Sequence, residues 1–216
     1  MELDARVSAL VALVGDHSWL WVNTALAWIP ALLALALFTA RRDERRGVGW
    51  WAGAVVFVLF LPNAPYVVTD LVHLRADVER APAPVTTVLP VYAAFIASGF
   101  LSYYLSLLQV RRYVARCWPQ VRVAAVVVGL HVLVAVGVFL GRWSRLNSWE
   151  PVVHPRDALE RVLLALTWSD APLLVGAIFA VTAVGHFVTR AVVETAWRGL
   201  TSWFRRPLGG PTVGLT

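Results

Sequence analysis

Five apolar runs divide this chain, and the segments between them alternate strictly: short arginine clusters at one set of junctions, long motif-bearing loops at the other. The runs cover about 19–40, 49–66, 85–110, 121–141 and 171–193. Each approaches or exceeds the roughly 20 residues a helix needs to cross about 30 Å of hydrocarbon. Lipid offers the backbone no hydrogen-bond partners, so such a run satisfies its own N–H and C=O groups as a helix. The expected fold is all-α, a polytopic transmembrane bundle of five spans forming one membrane domain over 1–216.

The arginine junctions set the expected orientation. Arg41, Arg42, Arg45 and Arg46 follow the first run; Arg111, Arg112, Arg116 and Arg122 follow the third; Arg190, Arg198, Arg205 and Arg206 accompany the end of the fifth. Against these twelve arginines stand three acids, whereas the N-terminus and the other two loops carry seven arginines and ten acids. The positive-inside rule then predicts the N-terminus outside and the C-terminus inside. The basic residues read as topology anchors and contacts to anionic membrane lipids, which argues against nucleic acid as a partner despite the net charge of +6.

A 59% hydrophobic composition and a mean hydropathy of +0.67 exclude an ordinary soluble domain. Cys117 is the sole cysteine, so no intrachain disulfide or thiolate cluster can form. The first span is expected to be retained as a reverse anchor, since Glu2 and Asp4 precede the first arginine and no basic leader region is present. Val7, Leu10, Val11 and Val14 share one helical face and suggest a short surface helix over 1–14. Most tryptophans lie at predicted span ends, as aromatic belts do. Trp197, Leu200 and Phe204 line a basic amphipathic stretch expected on the inner leaflet, before a frayed tail over 207–216.

Small residues recur at steps of four in the third run (Ala94, Ser98, Ser102, Ser106). A comparable line in the fourth holds Ala125, Gly129, Gly137 and Gly141. This spacing predicts close packing of those two helices. His131 and His186 fall inside spans, where a neutral imidazole bonding between helices is the simplest role.

The chemistry concentrates in the two loops assigned to the outer face, 62–84 and 142–170. Pro62 and Pro65 remove two backbone donors at the end of the second run, so the helix should kink or unwind near Asn63. Broken backbone at membrane depth needs cover from protein or a watery cavity, which places Asn63 and Tyr66 at a polar pocket. Thr69 is the expected N-cap of a helix reaching about Arg80, with Asp70, His73 and Asp77 on one stripe. Carboxylates three before and four after a histidine suit a proton-transfer pair of Asp70 and His73, part of a metal site, or a salt-bridged surface helix.

In the second loop Arg142 and Arg145 present planar forks suited to phosphate or carboxylate, beside Asn147, Glu150 and His154. A helix from Pro155 should follow, with Asp157 paired to Arg161. No recognised metal spacing, nucleophile with a nearby base, or glycine-rich phosphate loop is present; the two histidines and several carboxylates of these loops would suffice for zinc or a hard divalent ion, so metal and cofactor stay open.

The segments Phe60-Leu-Pro-Asn-Ala-Pro-Tyr66, Thr69-Asp-Leu-Val-His-Leu74 and Gly141-Arg-Trp-Ser-Arg-Leu-Asn-Ser-Trp-Glu150 together resemble a bacterial integral membrane family, domain of unknown function 1361. In that family the second motif ends in Asn-Ser-Trp-Asp, where this chain has Glu150. The resemblance implies a multi-pass protein of the bacterial plasma membrane and supplies no activity. Three functions stay open: binding of an anionic lipid or lipid-linked headgroup in the outer pocket, an enzyme acting on such a substrate through Asp70 and His73, and a non-catalytic subunit that meets a membrane partner or a second copy of itself.

Overall fold

A computed structural model of the chain describes residues 15, 18–39, 46–80 and 85–204. The proposed surface helix over 1–14 and the frayed tail over 207–216 lie outside these residues. Everything regular among the described residues is helical, and five helices are long and apolar enough to cross a membrane. These are α1 (Ser18–Phe38), α2 (Val48–Phe60) with its continuation, α5 (Val85–Cys117), α6 (Val123–Trp143) and α9 (Ala171–Phe204). Shorter elements fill the two long connections: α3 (Asn63–Tyr66), a 3₁₀ turn over Val67–Asp70 and α4 (Leu71–Arg80) in the first, α7 (Glu150–Val153) and α8 (Pro155–Leu166) in the second. Both connections leave the bundle at the same end, here called the motif end; the opposite end carries the described arginines Arg46, Arg112, Arg116 and Arg122.

Helix α5 is the hub, packing on α1 most extensively and also on α9, α3, α4 and α6. The buried core joins Phe57 and Leu61 with Tyr103, Leu107 and Tyr113 from α5 and Val134 and Val138 from α6. In lipid the hydrophobic effect does not order helices among themselves, so shape and interhelical hydrogen bonds choose the neighbours. The serine stripe of α5 accordingly meets α1. Ser102 Oγ donates to Ala27 O at 2.6 Å, and Trp28 Nε1 donates to Ser98 Oγ at 2.9 Å. This differs from the expected pairing of the α5 and α6 stripes. The glycines of α6 instead receive the proline segment: a Cβ at Gly137 would sit 2.4 Å from Pro62 Cγ, and one at Gly141 3.2 Å from the Tyr66 ring. Nothing lies within 4 Å of such an atom at Gly129.

Two helices overshoot the sequence boundaries. At 1.5 Å per residue, the 34 residues of α9 extend about 51 Å, well beyond a bilayer core, so the Trp197–Phe204 stretch continues the span rather than forming a separate helix. Between α5, α6 and α9 the buried Tyr103 hydroxyl and His131 Nδ1 are 2.6 Å apart, and the His131 and His186 rings lie 5.2 Å apart. This is the interhelical imidazole bond expected for His131; His131 Nε2 and His186 Nδ1 have no partner among the described residues. At the arginine end Arg46 is held over the rings of Trp50, Tyr113 and Trp118 and donates to the Tyr113 hydroxyl, pinning the start of α2 to α5.

Candidate ligand site

The proline segment does not unwind into a loop. Residues 61 and 62 form a turn, and the caps on either side of α3 and of the 3₁₀ turn stay in the right-handed helical region. Pro65 brings no donor to Leu61 O, so the Ala64 N–H takes it at 3.2 Å, one residue short of α register. Asn63 Nδ2 then supplies a donor to Phe60 O at 3.1 Å. Because the chain stays helical, Thr69 caps nothing; its hydroxyl donates back to Tyr66 O at 2.8 Å, and α4 follows directly from the 3₁₀ turn. The segment is seated tightly on α5, where a Cβ at Gly99 would meet Val67 Cγ2 at 2.4 Å and Ala64 O at 2.5 Å.

Helices α2 and α6 make no extended contact with each other, and the crevice between them widens into a half-open cavity of about 470 Å³ at the motif end. This falls within the roughly 300–1,000 Å³ of small-molecule sites. Its lower walls are apolar, from Leu26, Val58, Leu59, Leu133 and Val136. Its upper part holds every polar lining residue, Asn23, Asn63, Asp70, Asn147 and Ser148, with Tyr66 and Trp149, among apolar ones such as Leu140, Leu146, Pro151 and Val162. Asp70 is only 5% exposed, and its Oδ2 accepts from Asn23 Nδ2 at 2.8 Å. A buried carboxylate without such a donor would be costly, so the α1 amide is what makes the position tenable. Asn63 Nδ2 reaches across to Ser148 Oγ at 2.8 Å and ties the first motif to the second.

Of the residues singled out from sequence, Asn63, Tyr66, Asp70 and Asn147 thus line one cavity. Arg142 and Arg145 do not. They flank a second, shallower depression with Val68, Thr69 and Trp143, on the other side of the 3₁₀ turn. Both are exposed, and neither forms a hydrogen bond or ion pair among the described residues. Arg145 has φ 52°, the left-handed region where a side chain is strained; there the chain leaves α6, and Leu146 N–H bonds to Leu140 O at 3.3 Å.

His73 is exposed and lies outside the cavity, its ring 5.2 Å from that of Trp19. Together with Arg142 it acts electrostatically on Asp70 without a hydrogen bond to it. Asp77 accepts from the Tyr92 hydroxyl at 2.6 Å, so the predicted stripe is split among three surroundings.

Glu150 shapes the second loop, accepting from Asn147 N at 3.0 Å and from Arg161 at 3.4 Å. The latter bond replaces the expected Asp157–Arg161 pair. His154 is exposed and lines neither depression. Among the described residues no group of three or more histidine, cysteine or acidic side chains converges as a metal site would.

Ser148 and Trp149 come from the second motif, whereas Asn23 of α1 was not anticipated. A lone amide in the otherwise apolar start of the first run is a signal that sequence reading could have used, since polar groups inside a span rarely sit there without a partner.

The fold and site define a multi-pass membrane helix bundle with an amphiphilic cavity at one end. Its family is that of the proteins of unknown function designated DUF1361, which matches residues 21–184, and the chain belongs to it. That region contains both motifs and every residue lining the cavity. No curated protein and no solved structure matches the chain.

Proposed function

We propose that this protein binds a lipid or lipid-linked molecule at the outer face of the plasma membrane, with the headgroup in the cavity and an anionic group against Arg142 and Arg145. The observation that carries the reading is the division of the cavity wall. Its polar groups gather at the motif end, and its apolar residues descend along α2 and α6 to Leu133, which is 40% exposed toward the surroundings of the bundle. A molecule with a polar head and an apolar tail matches that gradient. The two unpaired guanidiniums beside the cavity are suited to a phosphate at headgroup depth.

Binding is favoured over catalysis by Asp70 and His73 because the two side chains occupy different surroundings, one in the cavity and one outside it against Trp19. The test is lipid retention in nanodiscs read by native mass spectrometry. Arg142→Gln combined with Arg145→Gln should weaken retention of anionic lipids while that of phosphatidylcholine is unchanged. Equal retention of every anionic lipid by wild type and variant would refute the anion site.

A further inference from the structure

The polar groups at the top of the cavity have committed part of their donors. Asn23 Nδ2 is bound to Asp70, Asn63 Nδ2 to Phe60 O and Ser148 Oγ, and both the backbone N–H and Nδ2 of Asn147 to Glu150. In each amide the nitrogen faces a carboxylate or carbonyl oxygen, which sets the assignment of nitrogen and oxygen. An amide nitrogen carries two N–H groups, so Asn63 has spent both while Asn23 and Asn147 each keep one. What remains to a ligand is three amide oxygens and the second Asp70 oxygen as acceptors, and those two N–H groups, the hydroxyls of Tyr66 and Ser148 and the indole of Trp149 as donors. The chain has no lysine, and neither Arg142 nor Arg145 belongs to this wall.

A lining with a buried carboxylate and no cationic side chain disfavours an anion, which would face Asp70. It suits a neutral ligand whose groups both donate and accept. We propose that the cavity receives a hydroxyl-rich, sugar-like headgroup carried on an apolar tail, with any phosphate of the same molecule lying outside, at the arginines. This rests on the lipid-site reading above and names its chemical class. Each sugar hydroxyl can donate to an amide or carboxylate oxygen while accepting from Tyr66 or Ser148. Tyr66 and Trp149 also line the cavity, and aromatic rings pack against the C–H faces of a pyranose. A primary ammonium brings donors alone, so it would leave the Tyr66, Ser148 and amide N–H donors without acceptors.

The test uses the full chain in phosphatidylcholine nanodiscs doped with lipids of matched acyl chains: glucosyl diacylglycerol, diacylglycerol, phosphatidylethanolamine and phosphatidylglycerol. Glucosyl diacylglycerol should be retained about tenfold over diacylglycerol, a modest value for a site built to bond hydroxyls. Asp70→Asn and Asn147→Leu should each remove most of that preference. Asn147 is exposed, so its variant keeps the proposal testable if the Asp70 change impairs folding.

Equal retention of diacylglycerol and its glucosyl form, both expelled by the cavity-filling Val136→Trp, would overturn the sugar assignment and leave the lipid site standing. Preferred retention of phosphatidylethanolamine would likewise overturn it in favour of an ammonium. Retention of every lipid unchanged by Val136→Trp would overturn the lipid site itself.

Discussion

Gly99→Ala is the sharpest probe of how the site is held. The added Cβ would lie 2.4 Å from Val67 Cγ2 and 2.5 Å from Ala64 O, where ordinary contact begins near 3.4 Å. The valine can rotate, but the carbonyl is main chain, so α3 must retreat by about 1 Å from α5. Overpacking of this kind costs about 1–3 kcal/mol, and a main-chain obstacle places it in the upper half of that range. Because α3 and the following turn carry Asn63, Tyr66 and Asp70, the same shift should open the Asn63–Ser148 link and weaken lipid retention.

Gly129→Ala is the internal control, since nothing lies within 4 Å of its Cβ. It should equal wild type or exceed it by up to about 1 kcal/mol, as alanine is the better helix former. Val67→Ala in the Gly99→Ala background should recover less than half the loss, because Ala64 O stays in place. The assay is reversible unfolding in mixed micelles with increasing dodecyl sulfate, followed by tryptophan fluorescence. If Gly99→Ala and Gly129→Ala unfold at the same midpoint, the close approach of α3 to α5 is wrong.

Three further outcomes are expected. Arg145→Gly should raise stability by up to about 1 kcal/mol by relieving the left-handed strain, yet lower retention of anionic lipid; a fall in both would show that the side chain holds the loop rather than a ligand. Tyr103→Phe removes the one bond His131 makes and should destabilise by about 1–3 kcal/mol, whereas Tyr103→Phe with His131→Leu should cost less than the two changes added separately, as measured by a double-mutant cycle in the same assay. With the single cysteine changed by Cys117→Ser, a probe at Ser169→Cys should react with an impermeant maleimide on intact cells and be protected in inverted vesicles; the reverse pattern would invert the proposed orientation.

The number of the spans was legible because it depends on local properties alone. A run of apolar residues long enough to cross lipid becomes a helix wherever it sits, and each of the five expected runs does so. The proline break was legible for the same reason, as a missing N–H is written in the residue itself. Asn63 and Tyr66 were placed at a pocket on that logic.

Neighbour choice was not legible. The serine stripe of α5 bonds to α1, and the glycines of α6 admit Pro62 and Tyr66. Small residues permit close approach without naming the partner. Nor could spacing show that Arg142 and Arg145 would stand apart from the cavity, that His73 would turn to Trp19, or that Asn23, some 47 residues before Asp70, would supply its hydrogen bond. The sequence by itself determined which segments enter the membrane and where helical bonding fails, since those follow from backbone satisfaction within one segment. The tertiary structure alone decided that Asn23 would meet Asp70 and Asn63 would meet Ser148, because those hydrogen bonds join segments far apart in the chain.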